Sequence, residues 1–437
     1  MKDDKPLKIL IVSSANFFSN YGGGQVYVKN IVNQMIAQGI DVSIATPEIS
    51  ETKLTHYKEK PVYTFTNKML EGDLLELRNF IKEINPSIVH LHGFKAPFSL
   101  ACKSLEIPCV VTAHHGGLIC PAGALLNSKD KICTVAASES NCLPCVLRNV
   151  KGGTCSLPIQ KLIPFNLRLA IGKAFLKIPF IYYVTPIVTT TLSIENKKRE
   201  WKNIYNNASL LIAPSIAIKK AMVLNGAPVS SIKVIPHGIP SIKVNKITEV
   251  KKDIEVSKEK KPVKFFYVGR ICREKGVHVM LKAFNNLTLP AEIHVIGGTG
   301  NHVEESYSKY LKKTYKNENI IWHGKVLPEE VNEKIKMFDV MIHPAFFLEV
   351  FGLTIAESLQ MGKPVIATKC GGAEMQITHN ENGLLIAPNN VNELKKAIIE
   401  IIESPNLLLK LKEKTTLNVN LIDNHVLDLM KVYRGFV

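Results

Sequence analysis

Residues 8–45 read KILIVSSANFFSNYGGGQVYVKNIVNQMIAQGIDVSIA. Lys8–Ser13 is a short, apolar, β-branched run, which fits a strand buried on both faces of a parallel sheet. A loop carrying Gly22, Gly23 and Gly24 follows. Apolar pairs at Tyr27/Val28, Ile31/Val32 and Met35/Ile36 then mark one face of a helix that stops at Gly39. Val42–Ala45 returns to strand. Strand, glycine loop, helix, strand is the opening of a Rossmann-type sheet.

The alternation continues outward from this stretch. Ile88–Leu91 and Val110–Ala113 read as buried strands with His90, His92, His114 and His115 at their polar ends. The C-terminal edge of an open parallel sheet is where ligands bind, so histidines have a reason to collect there. Alternation along a strand favours His114 over its neighbour His115 as the one lining the site. A second doubly wound unit begins at Val263–Val268, continues through a helix near Val277–Phe284, and runs from Ile293–Ile296 into Gly297-Gly298-Thr299-Gly300. Ile320–Trp322, Val340–His343 and Val365–Ala367 supply further strands. The expected fold is therefore α/β with two Rossmann-like domains. Residues 1–240 form the first, with a cysteine-rich insertion at about 120–155 and a basic apolar segment at 157–194; 241–262 are a lysine-rich linker, 263–403 the second domain and 404–437 a helical tail.

A chain of 437 residues suits two cores better than one. With 46% hydrophobic and 21% charged residues it has the composition of a globular protein and not of a disordered or collagen-like one. The N-terminus, MKDDKPLKILIVSS, has acidic residues and only a short apolar run, which reads as a strand and not a signal peptide, so a cytoplasmic location is expected. The net charge of +17 is unevenly spread: residues 1–240 hold 27 Lys/Arg against 15 Asp/Glu. From Ser140 to Ile194 there is no acidic residue, while Arg148, Lys151, Lys161, Arg168, Lys173 and Lys177 are all basic. Such a stretch points to an anionic partner or to full solvation.

The chemistry concentrates between Gly269 and Ala387. Arg270 and Lys275 follow a strand in a loop that opens a helix, an arrangement suited to diphosphate oxygens. Alone, an Arg/Lys pair on a loop is ordinarily solvated surface. The string FLEVFGLTIAESLQMGKPVIA, with Glu349 and Glu357 eight residues apart, changes that reading. It adds a carboxylate able to grip ribose hydroxyls to the cations able to grip phosphates. Gly371-Gly372-Ala373-Glu374 and Asn382-Gly383-Leu384-Leu385 extend the pattern. No G-x4-G-K-[ST] occurs, and Gly298-Thr299-Gly300 lacks the third glycine of a dinucleotide fingerprint, which disfavours a P-loop NTPase and a dehydrogenase.

These segments together resemble the retaining glycosyltransferases of the family 4 type, whose GT-B fold has two facing Rossmann-like domains with an interdomain cleft. The resemblance spans nearly the whole chain and is strongest over G-R-x4-K-G (Gly269 to Gly276), Gly297-Gly298, His343-Pro344 and E-x7-E. It implies that Arg270 and Lys275 bind the donor diphosphate, that Glu357 binds the ribose, and that Glu349 lies near the sugar. Gly352, Leu353 and Thr354 would present backbone amides, and Gly297 would border the donor. In the first domain Gly22, Gly23 and Gly24 match the family's glycine loop and His114 a catalytic-centre histidine. Ala213-Pro214-Ser215 and Pro236-His237-Gly238 match two further landmarks, with His237 where asparagine is usual. The implied reaction is sugar transfer with retention from a nucleoside diphosphate sugar, UDP favoured and GDP the alternative, to a glycan or lipid-linked acceptor of cell-envelope polysaccharide or glycoconjugate synthesis. The family needs no catalytic metal.

Cys120, Cys133, Cys142, Cys145 and Cys155 give C-x12-C-x8-C-x2-C-x9-C in a loop-like setting. The first four suit structural zinc or an iron–sulfur cluster, with Cys155 able to replace one; free thiols or redox disulfides are the alternatives. Some related transferases carry similar cysteines after the cleft histidine. Ile178–Ile194 holds 17 uncharged residues with two prolines, short for a membrane span. It reads as core, or as a peripheral surface resting on anionic lipid. The competing functions are a nucleotide-sugar epimerase or a phosphorylase on the same fold, and a basic zinc-knuckle protein binding nucleic acid. The last is disfavoured by 7% aromatic residues without a stacking motif.

Overall fold

The computed structural model describes residues 7–18, 22–48, 55–150, 152–175, 186–242, 261–285 and 287–437. Most of the expected linker (243–260), and residues 176–185 of the basic apolar segment, lie outside the described residues. The chain divides into two compact units: 1–129 with 133–238 and 422–437, and 130–132 with 239–421.

The first unit is built on a sheet of eight strands: β1 (Ile9–Val12), β2 (Val42–Pro47), β3 (His56–Tyr57), β4 (Lys60–Phe65), β5 (Ile88–Leu91), β6 (Cys109–Thr112), β7 (Leu210–Ala213) and β8 (Ile232–Val234). Their order is β3-β4-β2-β1-β5-β6-β7-β8, parallel except for the β3–β4 hairpin at one edge. All four residues of β1 are fully buried, which is why the strand is apolar throughout instead of alternating. Helix α1 (Gly23–Ala37) follows the glycine loop and buries Tyr27, Val28, Ile31, Val32 and Met35. The helices that bear on function are α2 (Lys95–Ser104), α3 (Glu139–Arg148), α4 (Gly153–Leu162), α5 (Phe165–Phe175) and α6 (Pro186–Asn207). Helix Ile422–Arg434, from the end of the chain, belongs to this unit and packs beside α1.

The second unit carries a fully parallel six-stranded sheet: β9 (Val263–Val268), β10 (Ala291–Ile296), β11 (Ile320–Gly324), β12 (Val340–His343), β13 (Val365–Thr368) and β14 (Gly383–Ile386), ordered β11-β10-β9-β12-β13-β14. β9 lies inside it, and its side chains alternate between two cores. Phe265 and Tyr267 join Met280 and Phe284 of helix α7 (Val277–Phe284). Phe266 joins Ile355 and Leu359 of helix α8 (Leu353–Gln360). Truncating one such buried side chain to alanine costs about 2–5 kcal/mol. Among the described residues no helix is long and apolar enough to cross a membrane.

Candidate functional site

In the second unit the predicted residues sit where strands end. The turn after β9 and the turn after β10 approach so closely that a Cβ on Gly297 would lie 1.8 Å from the carbonyl oxygen of Gly269. Gly276, at φ +72°, caps the turn ahead of α7, and a Cβ there would strike the Pro344 carbonyl at 1.9 Å. Only glycine permits either approach, and the second brings the Lys275 turn against the loop after β12.

That contact builds an ionic cluster. Lys275 Nζ donates to Glu349 Oε2 at 2.5 Å, and His343 Nε2 lies 3.5 Å from the same oxygen. Burial alone would raise the Glu349 carboxyl, but Lys275 and the His343 hydrogen bond outweigh it and hold Glu349 well below the usual carboxylate range. The reciprocal effect holds the Lys275 ammonium above the ordinary lysine value although burial opposes it. The cation is thus fixed in place and permanently charged. The backbone of Glu349 is pinned as well, its N–H donating to Cys370 O at 2.8 Å and its carbonyl accepting from Gly372 N at 2.9 Å.

Arg270 is more exposed and pairs with Glu304 at 3.1 Å. Glu304 also accepts from Gly300 N at 2.6 Å, so it ties the arginine to the glycine turn after β10. The sequence reading did not single out Glu304; its signal is the Asn301 cap, whose side chain accepts from Glu304 N and starts the helix that carries it.

Glu357 stands apart. It lies in α8, its side chain in no ion pair or hydrogen bond with another described residue, and burial pushes its carboxyl up to about 7. The same helix begins at Leu353 after Gly352, so the first-turn amides of Leu353 and Thr354 precede its internal bonding and are free to meet an anion.

The first unit holds a different constellation. His92 and His114 extend from β5 and β6, and His92 Nδ1 meets His114 Nε2 at 2.7 Å. The glycine loop runs close by: a Cβ on Gly24 would lie 3.6 Å from His114. Gly22, at φ +87°, precedes α1, which starts at Gly23. His114 Nδ1 and His92 Nε2 are buried without a hydrogen-bond partner. His115 is exposed and lies off this cluster.

The surrounding residues carry the network further than the sequence indicated. His90 meets Tyr433 OH at 2.6 Å through Nδ1 and Thr112 Oγ1 at 2.7 Å through Nε2. Tyr27 OH meets His425 Nε2 at 2.6 Å, and the Tyr27 ring packs 3.9 Å from that of His237. Lys95 Nζ donates to His92 O at 2.6 Å. Burial, reinforced by the neighbouring histidines and, for all but His237, by Lys95, lowers His90 to about 3 and His92, His114 and His237 well below the ordinary histidine value. These are neutral imidazoles serving as hydrogen-bonding groups. His425 and Tyr433 had no local signal, because the segment that carries them reads only as helix.

The cysteine insertion lies in the first unit. Cys142 and Cys145 are one turn apart on α3, and Cys133 is held by a bond from its N–H to Leu125 O at 2.8 Å. Burial pushes the Cys142 thiol up to about 12, with a further upward push from Cys120, Cys145 and Cys133, so the four share one neighbourhood. Cys155 is exposed on α4. All nine cysteines are free thiols, and no group of three or more His, Cys, Asp or Glu among the described residues is placed to hold a metal ion. The four thiols therefore do not fit a closed ligand set as they stand.

Comparison with known proteins bears on the family and the fold. The sequence model of "Glycosyl transferases group 1" matches residues 249–417, and that of "Glycosyltransferase Family 4" matches residues 21–132. An uncharacterized glycosyltransferase of Methanocaldococcus jannaschii, MJ1069, is 29% identical over 239 residues, 54% of this chain and 58% of that protein's length. The D-rhamnosyltransferase WbpZ of Pseudomonas aeruginosa is 28% identical over 143 residues, 32% of this chain and 36% of its own. The match thus spans 58% of the first relative's length and 36% of the second's. Among solved structures, Anabaena Alr3699/HepE in complex with UDP superposes with a TM-score of 0.68 at 17% identity, covering 98% of this chain and 100% of that one. Sucrose-phosphate synthase from Thermosynechococcus elongatus gives a TM-score of 0.67 at 16% identity, covering 98% of each.

Proposed function

Because the chain belongs to the glycosyltransferases of the family 4 type, with two Rossmann-like parallel-sheet domains of the GT-B class, we propose that it moves a sugar, with retention, from a nucleoside diphosphate sugar to a glycan or lipid-linked acceptor. The observation that carries the donor assignment is Glu357: a largely buried carboxylate with no partner of its own, on the helix whose first turn offers free amides. A vicinal pair of ribose hydroxyls would satisfy it. UDP is favoured, supported by the UDP complex of HepE.

The chemistry follows from charge. The departing diphosphate gains negative charge, and Lys275, Arg270 and the Leu353 and Thr354 amides are fixed before it does so. Glu349 holds Lys275 charged and in position. His114, neutral, offers an unpartnered Nδ1 to a sugar hydroxyl. No protein nucleophile is required when the leaving phosphate assists deprotonation of the acceptor on the same face.

A thermal-shift series with UDP, GDP, ADP, TDP and their sugars, on the wild type and Glu357→Ala, tests this. Stabilisation by one nucleotide family, lost in the variant, is expected. No shift with any nucleotide removes the donor assignment.

Helices α4 and α5 favour a lipid-linked acceptor. Ile159, Leu162 and Leu167 are 63%, 84% and 52% exposed, close together in sequence, with Lys161 and Lys173 exposed beside them. Arg168 is already paired with Glu139 at 2.5 Å, so the apolar side chains must supply most of any attachment to an anionic bilayer. Flotation with phosphatidylcholine vesicles, with and without phosphatidylglycerol, should recover the wild type and lose Leu162→Asp; wild type left at the bottom with both removes the membrane reading.

A structural zinc or iron–sulfur site drawn closed from Cys120, Cys133, Cys142 and Cys145 is a separate proposal. It rests on Cys142 and Cys145, whose thiols are raised by burial and then further by the neighbouring cysteines, an arrangement that a cation relieves. Elemental analysis after anaerobic purification should find one site per chain, and protein free of zinc and iron ends it.

A further inference from the structure

One face of α6 lines a groove of about 500 Å³ in the first unit. Thr189, Leu192, Ser193, Asn196, Lys197 and Glu200 recur at the spacing of a single helical stripe, and Pro121, next to the first insertion cysteine, forms the opposite lip. The volume is in the range of small-molecule sites. Its lining is unlike that of an apolar pocket: two hydroxyls, an amide, and a Lys197–Glu200 pair closed at 2.6 Å that leaves no net charge. Leu192 and Pro121 add a small apolar surface. Hydroxyls and amides around a modest apolar patch suit a neutral polyhydroxylated ring, which has hydrogen-bonding edges and C–H faces.

The groove also lies beside the histidine constellation. Lys197 and Glu200 act electrostatically on both Lys95 and His115. Lys95 is bonded to the carbonyl of His92, whose ring holds His114. Helix α2, which begins at Lys95, packs against α6. The helix that lines the groove thus packs on the helix whose Lys95 is bonded to His92, inside one unit.

We propose that the α6 groove is the acceptor site and that it takes a pyranoside, with Ser193 and Asn196 as the residues that select it. This rests on the transferase reading above. It makes α6 the element that determines which glycan is extended, independently of the donor-binding unit.

The test uses the full chain with UDP present and four probes: the methyl glycosides of glucose, galactose, mannose and N-acetylglucosamine, observed by saturation-transfer NMR. UDP stabilisation is measured first on each variant. At least one glycoside should bind the wild type, and Ser193→Trp, which fills the groove, should weaken it at least about tenfold with UDP stabilisation unchanged. Asn196→Ala, which removes only an exposed amide, should weaken it less and serves if the tryptophan variant does not fold. Equal glycoside binding in wild type and both variants places the acceptor elsewhere and overturns the proposal. A wild type that binds UDP but none of the four glycosides overturns the pyranoside assignment. A wild type stabilised by none of UDP, GDP, ADP and TDP brings down the transferase reading itself, which separates the two failures.

Discussion

Under the proposed function the two units meet the same problem, binding a polar ligand at the end of a parallel sheet, with opposite electrostatics. In the second unit the groups are charged and paired: Lys275 with Glu349, Arg270 with Glu304. In the first they are neutral and linked: His92 with His114, His90 with Tyr433, Tyr27 with His425. Ion pairs hold permanent charge ready for phosphate, and uncharged imidazoles and phenols orient hydroxyls without attracting the anion. The contrast matches a division in which one sheet handles the leaving group and the other the sugar and its acceptor.

The sharpest way to break the contrast is to remove one member of the ionic cluster. Lys275→Met leaves Glu349 and its negative charge largely buried, so a loss of about 3 kcal/mol in urea unfolding and at least about a thousandfold in turnover is expected. Lys275→Met combined with Glu349→Gln should regain much of the stability and none of the turnover; if the single variant is as stable as the wild type, the pair is not coupled as described. Since the folded-state Glu349 carboxyl is depressed, its contribution is present above the unfolded carboxylate value and is lost as pH falls below it.

Glu357 behaves the other way. Its folded value is raised to about 7, so its ionisation opposes folding, and stability without ligand falls as pH rises from the unfolded value near 4.3 towards 7. Glu357→Gln should therefore be more stable than the wild type at pH 8 while binding UDP about 10- to 100-fold more weakly. UDP-glucose has no phosphate titrating near neutrality, so its affinity isolates the carboxylate: it should tighten by up to about tenfold between pH 6 and 8. A flat profile would mean that Glu357 does not meet the ligand as an anion.

The smallest effect belongs to the first unit. Tyr433→Phe removes one neutral hydrogen bond to His90 and should cost about 1 kcal/mol of stability, with nucleotide binding unaltered. A loss of UDP affinity in this variant would erase the separation between the units.

The same contrast explains what could be read from sequence. Arg270, Lys275 and Glu349 are legible because each follows a strand by a few residues, and Glu357 because it stands at a fixed spacing from Glu349. So are β1, α1 and His114, where short apolar runs and a helical stripe define the elements. His425 and Tyr433 are not, because their meaning comes from packing against residues more than three hundred positions earlier. Glu304 is an intermediate case: its cap is local, but its pairing with Arg270 needs the turn after β10 to be in place. The cysteine spacing is plain in the sequence, yet the thiols share a neighbourhood without forming a ligand set.

The return of helix Ile422–Arg434 to the first unit bears on how the protein is made. That unit's strands leave the ribosome before those of the second, but Tyr27 and His90 wait for partners synthesised more than three hundred residues later. Through most of translation the exposed flank of α1 and a string of unsatisfied imidazoles must be tolerated, while the second unit, uninterrupted over 239–421 apart from its short excursion at 130–132, can close on itself. The unit that begins folding before the second is therefore completed after it, and a nascent chain halted before Ile422 would carry a finished second unit behind an unfinished first one.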